Sequence, residues 1–334
     1  MKTKKAMGWA LLLALVLVIS ACGSKTENAA TTGTDTKGAA EQTTTEQPTA
    51  EAGKETVTIK YLDKEYTVPS KVERIVITGS MESMEDAVVL GVEPVGGITV
   101  GGKFPELFQP VTAKTESAGE KMQPNFEAIL KMKPDVILGS TKSPAEVGEK
   151  LGKIATYIPV SHIATNWEAN LNLMAELSGT QAKATEELEK YKKSVEEAKA
   201  KIGDSLKDKK VVTMRVRAGN IMIYPQGVFF NPILYTDLGL TPPAEVLAAK
   251  AQETVSVEKF SEINPDVVFV QFSESENKDN PNALKDLENN PIWKSINAVK
   301  NNKVFVNLVD PLAQGGTALS KIKFIEAAAE KLHP

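Results

Sequence analysis

Residues 124–138 read PNFEAILKMKPDVIL, and residues 255–269 read VSVEKFSEINPDVVF. The two segments align without a gap at an offset of 131 positions. Each has a glutamate, Glu127 or Glu258, seven residues before a Pro-Asp pair, and a run of large apolar residues follows each pair. A short amphipathic helix that stops at proline and leads into a buried strand is one α/β building block. Its return in the second half of the chain calls for two similar halves.

The rest of the chain fits that reading. Residues 74–78 (RIVIT) have the composition of a strand, and residues 81–90 form a helical pattern ending at Gly91. Asn125 is placed to cap a helix whose apolar face is Phe126, Ile129 and Leu130, and a short strand follows Pro134. In the second half, strands are expected over 211–217 and 221–224, with Ser256 as the matching cap. Apolar strands alternating with helices predict parallel sheets covered on both faces. Between the halves, Ala184, Leu188, Tyr191, Val195, Ala198 and Ile202 alternate steps of four and three. They predict one long amphipathic helix within residues 167–203 that joins the lobes.

The N-terminus carries an address. Lys2, Lys4 and Lys5 precede an uncharged run from Met7 to Ile19, too short for a membrane span and suited to a signal-peptide core. Ile19-Ser20-Ala21-Cys22-Gly23 resembles a bacterial lipobox, and Cys22 is the single cysteine in the chain. Residues 23–53 hold no Val, Ile, Leu, Met or aromatic residue and read as a flexible tether. The expected organisation is a signal peptide (1–21), a lipidated Cys22 and tether (22–55), an α/β lobe (56–166), the linking helix (167–203) and a second α/β lobe (204–334). Loss of residues 1–21 leaves 36 basic against 43 acidic side chains, a net of −7, which argues against nucleic acid as a partner.

Taken together, RIVITGSMESMEDAVVLGVEPVG, PNFEAILKMKPDVIL, NWEANLNLMAELSG, VSVEKFSEINPDVVFV, NPIWKSINAVKNNKVFV and QGGTALSKIKFI resemble, in order and spacing, a substrate-binding lipoprotein of a ferric-siderophore ABC importer. The resemblance covers residues 56–334. It implies two Rossmann-like lobes with a ligand cleft between them, joined by one long α-helix, as in class III substrate-binding proteins. It also implies that Glu127 and Glu258 dock into arginines of two permease subunits. The implied place is the outer face of a Gram-positive cell membrane, held there by a lipid, with the protein a monomer.

The candidate ligand contacts are polar groups on loops after strands. Lys121 precedes the PNFE helix, and Lys142 follows the strand VILGS. Arg215 and Arg217 share one face of a strand. Tyr224 follows a short apolar strand, Lys250 lies ahead of VSVEKF, and Gln314 precedes Gly315-Gly316. Converging cations suit an oxygen-rich anion. Ferric citrate, citrate-based siderophores and catecholates are anionic, whereas plain ferric hydroxamates are nearly neutral. The expected ligand is therefore a ferric complex of citrate/carboxylate or mixed hydroxamate type. Haem and cobalamin are the alternatives.

A bare-metal site is not expected, because His162 and His333 are the only histidines. His162, Trp167 and Trp293 read as structural residues, and Met81, Met84 and Met122 as core or cleft lining. The chain has no GxSxG, HExxH, GxGxxG or Walker loop, and nothing pairs a nucleophile with a base, so catalysis and a resident cofactor are not expected.

Overall fold

A computed structural model describes residues 55–332. The signal segment, Cys22, the tether up to residue 54 and His333 lie outside the described residues. The described chain opens with an antiparallel hairpin that the sequence reading did not anticipate, β1 (Thr56–Tyr61) and β2 (Lys64–Pro69).

The first lobe is built on strands β3 (Ile75–Ile77), β4 (Gly96–Thr99), β5 (Glu116–Glu120), β6 (Gln123–Pro124), β7 (Val136–Ser140) and β8 (Thr156–Val160). Their order is β6-β5-β4-β3-β7-β8, and every pairing except β5–β6 is parallel. The second lobe has β9 (Val211–Arg217), β10 (Asn220–Ile223), β11 (Glu253–Val255), β12 (Val267–Phe272) and β13 (Val304–Val306), in the order β11-β10-β9-β12-β13.

Here the expectation of wholly parallel sheets needs correction. In the second sheet only the β9–β12 and β12–β13 pairings are parallel, and β10 pairs antiparallel with both β9 and β11. The cause is local. Ala218 and Gly219 both have positive φ, 47° and 78°, so a two-residue turn folds β10 directly back on β9.

The helices are α1 (Met81–Leu90), α2 (Phe126–Lys131), α3 (Ala145–Gly152), α4 (Trp167–Ser178), α5 (Gln181–Ile202), α6 (Ala244–Ala248), α7 (Val257–Ile263), α8 (Ala283–Asn289), α9 (Pro291–Lys294), α10 (Asn297–Lys300) and α11 (Ala318–Leu332). The repeated unit has the expected form in both lobes. The Asn125 side chain accepts from the Ala128 amide at α2, and Ser256 accepts from the Lys259 amide at α7. The strand that follows each, β7 or β12, is buried along nearly its whole length. One detail departs from the pattern. Ile129 is buried, but Leu130 is 60% exposed and stands beside Glu127 on the solvent side.

The linker is two helices rather than one. Gly179, at φ 72°, ends α4, and the 22-residue α5 starts afresh after Thr180. The periodic face of α5 is placed as expected, with Ala184, Tyr191, Val195, Ala198 and Ile202 buried. Trp167 and Trp293 are packing residues, the first edge-on to Tyr191 and the second stacked on Phe260. Met81 and Met84 are core, while Met122 is 67% exposed.

After β13 the chain leaves the second sheet and returns across the first lobe. There α11 lies against α1 and α5. Its Lys321 amine reaches Asp237 at 2.6 Å, and the Tyr191 hydroxyl of α5 donates to the same carboxylate. The crossing point is tight. A Cβ on Gly315 would come within 2.6 Å of the Phe229 carbonyl carbon, and one on Gly316 within 2.3 Å of the Ala164 Cβ.

Candidate ligand-binding cleft

In parallel α/β sheets, side chains that bind ligands gather beyond the carboxyl ends of the strands. In the first lobe, Glu82 follows β3, Lys121 follows β5, Lys142 follows β7 and His162 follows β8. In the second lobe, Arg215 and Arg217 lie on β9 and Tyr224 directly follows β10. These residues line one cleft, together with Val228, Phe229, Gln252, Gln314 and Gly316.

Six of the seven expected ligand contacts therefore meet: Lys121, Lys142, Arg215, Arg217, Tyr224 and Gln314. Lys250 does not. It is exposed in the loop ahead of β11, where its backbone N–H donates to Glu253. Two positions on, Gln252 takes the cleft position instead and accepts from the Tyr224 hydroxyl at 3.0 Å. A larger cavity in the second lobe, lined by Asn280, Asp286 and their neighbours, shares none of these residues.

Arg215 is the most constrained of the cations. Its Nη2 donates to Gln271 Oε1 at 2.6 Å and to the Ala313 carbonyl at 3.0 Å. Its guanidinium carbon lies 4.9 Å from the Phe229 ring centre, and Phe229 stacks in turn on Tyr224. Gln271 on β12, the Ala313 carbonyl and the Phe229 ring hold it from three sides, so the arginine enters the cleft already oriented. Arg217, two residues on, is nearer to solvent. Both arginines lie 3.6 Å from Glu276 Oε1, whose other oxygen is buried without a hydrogen-bond partner.

Lys121 spans the cleft to Gln314 at 3.4 Å. Burial pushes its amine down to about 8. Glu82 works against that shift, while Lys142 and Arg215 reinforce it. Lys142 is half exposed and pairs loosely with Glu82 at 3.7 Å. His162 bonds the Thr141 hydroxyl at 2.7 Å, and burial and then Lys142 lower its pKa, so the ring enters neutral. Glu82, His162, Gln252 and Phe229 were not picked out as ligand contacts from the sequence. The acidic run in SMESMED was the available signal for Glu82. Nothing local marks Gln252, which a hairpin edge carries into place.

Four cations thus face two carboxylates, Glu82 and Glu276, and the surplus is positive. The wall adds an aromatic platform, Tyr224 and Phe229, and neutral donors on Gln252 and Gln314. The arrangement can hold an anion with many oxygens and flat rings.

Comparison with known proteins gives the same picture. Residues 76–307 match the periplasmic binding protein family. The chain is 53% identical over 322 residues to the iron-uptake system-binding protein of Bacillus subtilis, covering 96% of each chain. A weaker relative, the Fe(3+)-citrate-binding protein YfmC of Bacillus subtilis, is 25% identical over 244 residues, covering 72% of this chain and 74% of the relative. Among solved structures, the triscatecholate siderophore binding protein FeuA of Bacillus subtilis, complexed with ferri-bacillibactin, superimposes with a TM-score of 0.81. It is 57% identical and covers 83% of this chain and 98% of its own.

Proposed function

The chain belongs to the periplasmic binding protein family, and from that premise we propose that it captures a ferric siderophore of tris-catecholate type and delivers it to an ABC permease. The observation that carries the reading is the convergence of Lys121, Lys142, Arg215 and Arg217, from both lobes, on one cleft with an aromatic wall. Three dianionic catecholates around one Fe3+ form a trianion with three flat rings. Guanidinium and ammonium groups bond its oxygens, and Tyr224 and Phe229 add apolar contact at the wall. The solved relative at 57% identity is complexed with such a ligand. The expectation of a carboxylate or mixed hydroxamate complex has weaker support, since the citrate-binding relative is 25% identical.

Delivery is assigned to the repeated glutamates. Glu127 and Glu258 are exposed at the first turns of α2 and α7, one on each lobe, and neither lines the cleft. Hydrogen bonds from its own backbone N–H and from Ser256 hold Glu258 below the usual carboxylate range. In this reading the loaded monomer presents both carboxylates to arginines of the two permease subunits, with exposed Leu130 beside the first. Lipidated Cys22 and the tether keep it at the outer face of a Gram-positive membrane. Among the described residues no helix is long and apolar enough to cross a membrane.

The test of capture is titration with ferric tris-catecholate, ferric citrate, a simple ferric hydroxamate, haem and cobalamin, read by quenching of tryptophan fluorescence. The reading expects the tris-catecholate to bind most tightly, with loss on Arg215→Ala. Preference for haem or cobalamin would remove the iron-chelate assignment.

A further inference from the structure

Glu85 lies on α1 and is fully buried. Its carboxylate faces a strap of chain more than two hundred residues away. Oε1 accepts from the Gln314 backbone N–H at 2.7 Å. Oε2 accepts from the hydroxyls of Thr317 and Ser320. Asp86, next in sequence, accepts from the Ala318 N–H, and its Oδ1 is buried without a partner. A second anchor holds the strap from the other side. Gln271 donates to the Asp310 and Ala313 carbonyls at 2.9 and 3.2 Å, and Arg215 also donates to Ala313. Gln314 stands between the two anchors, with its side-chain oxygen toward Lys121.

We propose that Glu85 is a positioning residue for ligand capture: by clasping residues 314–320 it sets Gln314, and through it Lys121, at the floor of the cleft. The inference rests on the reading of the cleft as the capture site. The chemistry of the position supports it. A core position on α1 beside Met84 and Ala87 would favour an apolar side chain, because burying a carboxylate is costly. Burial does push Glu85 up to about 7, offset in part by its three donors. What the carboxylate supplies is an acceptor for all three strap donors, which an apolar residue would leave buried and unpaired. The strap has little freedom to compensate, since Gly315 and Gly316 are wedged against Phe229 and Ala164.

The experiment is a cycle of Glu85→Ala, Glu85→Gln, Gln314→Ala and the Glu85→Ala/Gln314→Ala double variant. Three readouts apply: affinity for ferric tris-catecholate, amide hydrogen exchange over residues 313–320, and titration of Lys121 by NMR of labelled lysine. Glu85→Ala is expected to weaken binding about tenfold, and the double variant to lose little more. Glu85→Gln should recover most of the affinity, because its amide oxygen still accepts from Gln314. In Glu85→Ala, exchange over the strap should quicken and Lys121 should titrate closer to an ordinary lysine. Unchanged binding, or a loss additive with Gln314→Ala while Lys121 titrates as before, overturns the proposal. If Glu85→Ala does not fold, Glu85→Asp, which keeps the charge but is one methylene too short to reach the strap, carries the cycle, and unchanged binding, exchange and Lys121 titration in it overturn the proposal. If the wild-type protein does not bind the tris-catecholate, the reading of function fails, while exchange and the Lys121 titration still decide the role of Glu85.

Discussion

Arg215 and Arg217 are two positions apart on one strand, yet the structure gives them different work. Arg215 is locked by Gln271, Ala313 and Phe229, whereas Arg217 has Glu276 and solvent. Replacing Arg215 by alanine should weaken capture of the anionic complex roughly 10- to 100-fold, in line with about 1.5–3 kcal/mol for a charge-assisted bond. Replacing Arg217 should cost less, and fluorescence titration of both variants measures the difference. Lys121 adds a pH dependence. In the empty cleft its pKa is pushed down to about 8, and an anionic ligand favours the charged amine. Affinity should therefore be highest below pH 8 and fall as pH rises through that value. Lys121→Met should flatten the profile. Lys121, Lys142, Arg215 and Arg217 could be placed at the cleft from the sequence because strand periodicity and loop position after a strand are local signals, whereas Lys250, picked out by its loop alone, lies outside it. Glu82, His162 and Gln252 were not, because only the folded loops bring them to the same wall.

Among the elements, the strap between β13 and α11 governs the junction of the lobes. Gly315 sits at φ +80° with no room for a Cβ. Gly315→Ala should destabilise the protein by about 2–4 kcal/mol, combining left-handed strain with overpacking, and thermal unfolding checks it. Glu85 makes stability depend on pH. Its folded pKa lies above the unfolded value, so the folded state holds the extra proton. The stability it contributes is complete below about pH 4.5 and is lost as pH rises through about 7, a change on the order of 3–4 kcal/mol. Denaturant unfolding of wild type and Glu85→Gln from pH 5 to 8 should show a flatter slope for the variant. The comparison separates Glu85 from His162, whose lowered pKa acts in the opposite direction. The helix caps at Asn125 and Ser256 could be read from sequence, since capping is decided within four residues. The break at Gly179 and the hairpin at Ala218-Gly219 carried their own signal in glycine, and the periodicity of the flanking segments outweighed it. The return of α11 to the first lobe had no local signal, because it is decided by contacts with α1 and α5.

Two lobes with one exposed glutamate each are what the proposed function requires, a ligand face and two carboxylates available for docking. The repeat of PNFEAILKMKPDVIL in VSVEKFSEINPDVVF revealed that symmetry before any coordinate did, because both copies keep the cap, the proline stop and the buried strand. The ligand class was less legible. Net positive charge in a cleft identifies an anion, but a catecholate and a carboxylate shell differ in ring faces, and Phe229 enters the wall from a loop. Glu127→Ala/Glu258→Ala should abolish uptake of labelled ferric complex by cells and leave affinity of the isolated protein unchanged. An affinity that fell with uptake would return those glutamates to the binding site. The most direct measurement remains titration of the protein with ferric tris-catecholate beside ferric citrate, haem and cobalamin. The proposed function predicts the tightest quenching with the tris-catecholate, lost when Arg215 and Lys121 are both replaced by alanine. Tight binding of haem or cobalamin alone, or of the tris-catecholate with no dependence on those two cations, would contradict it.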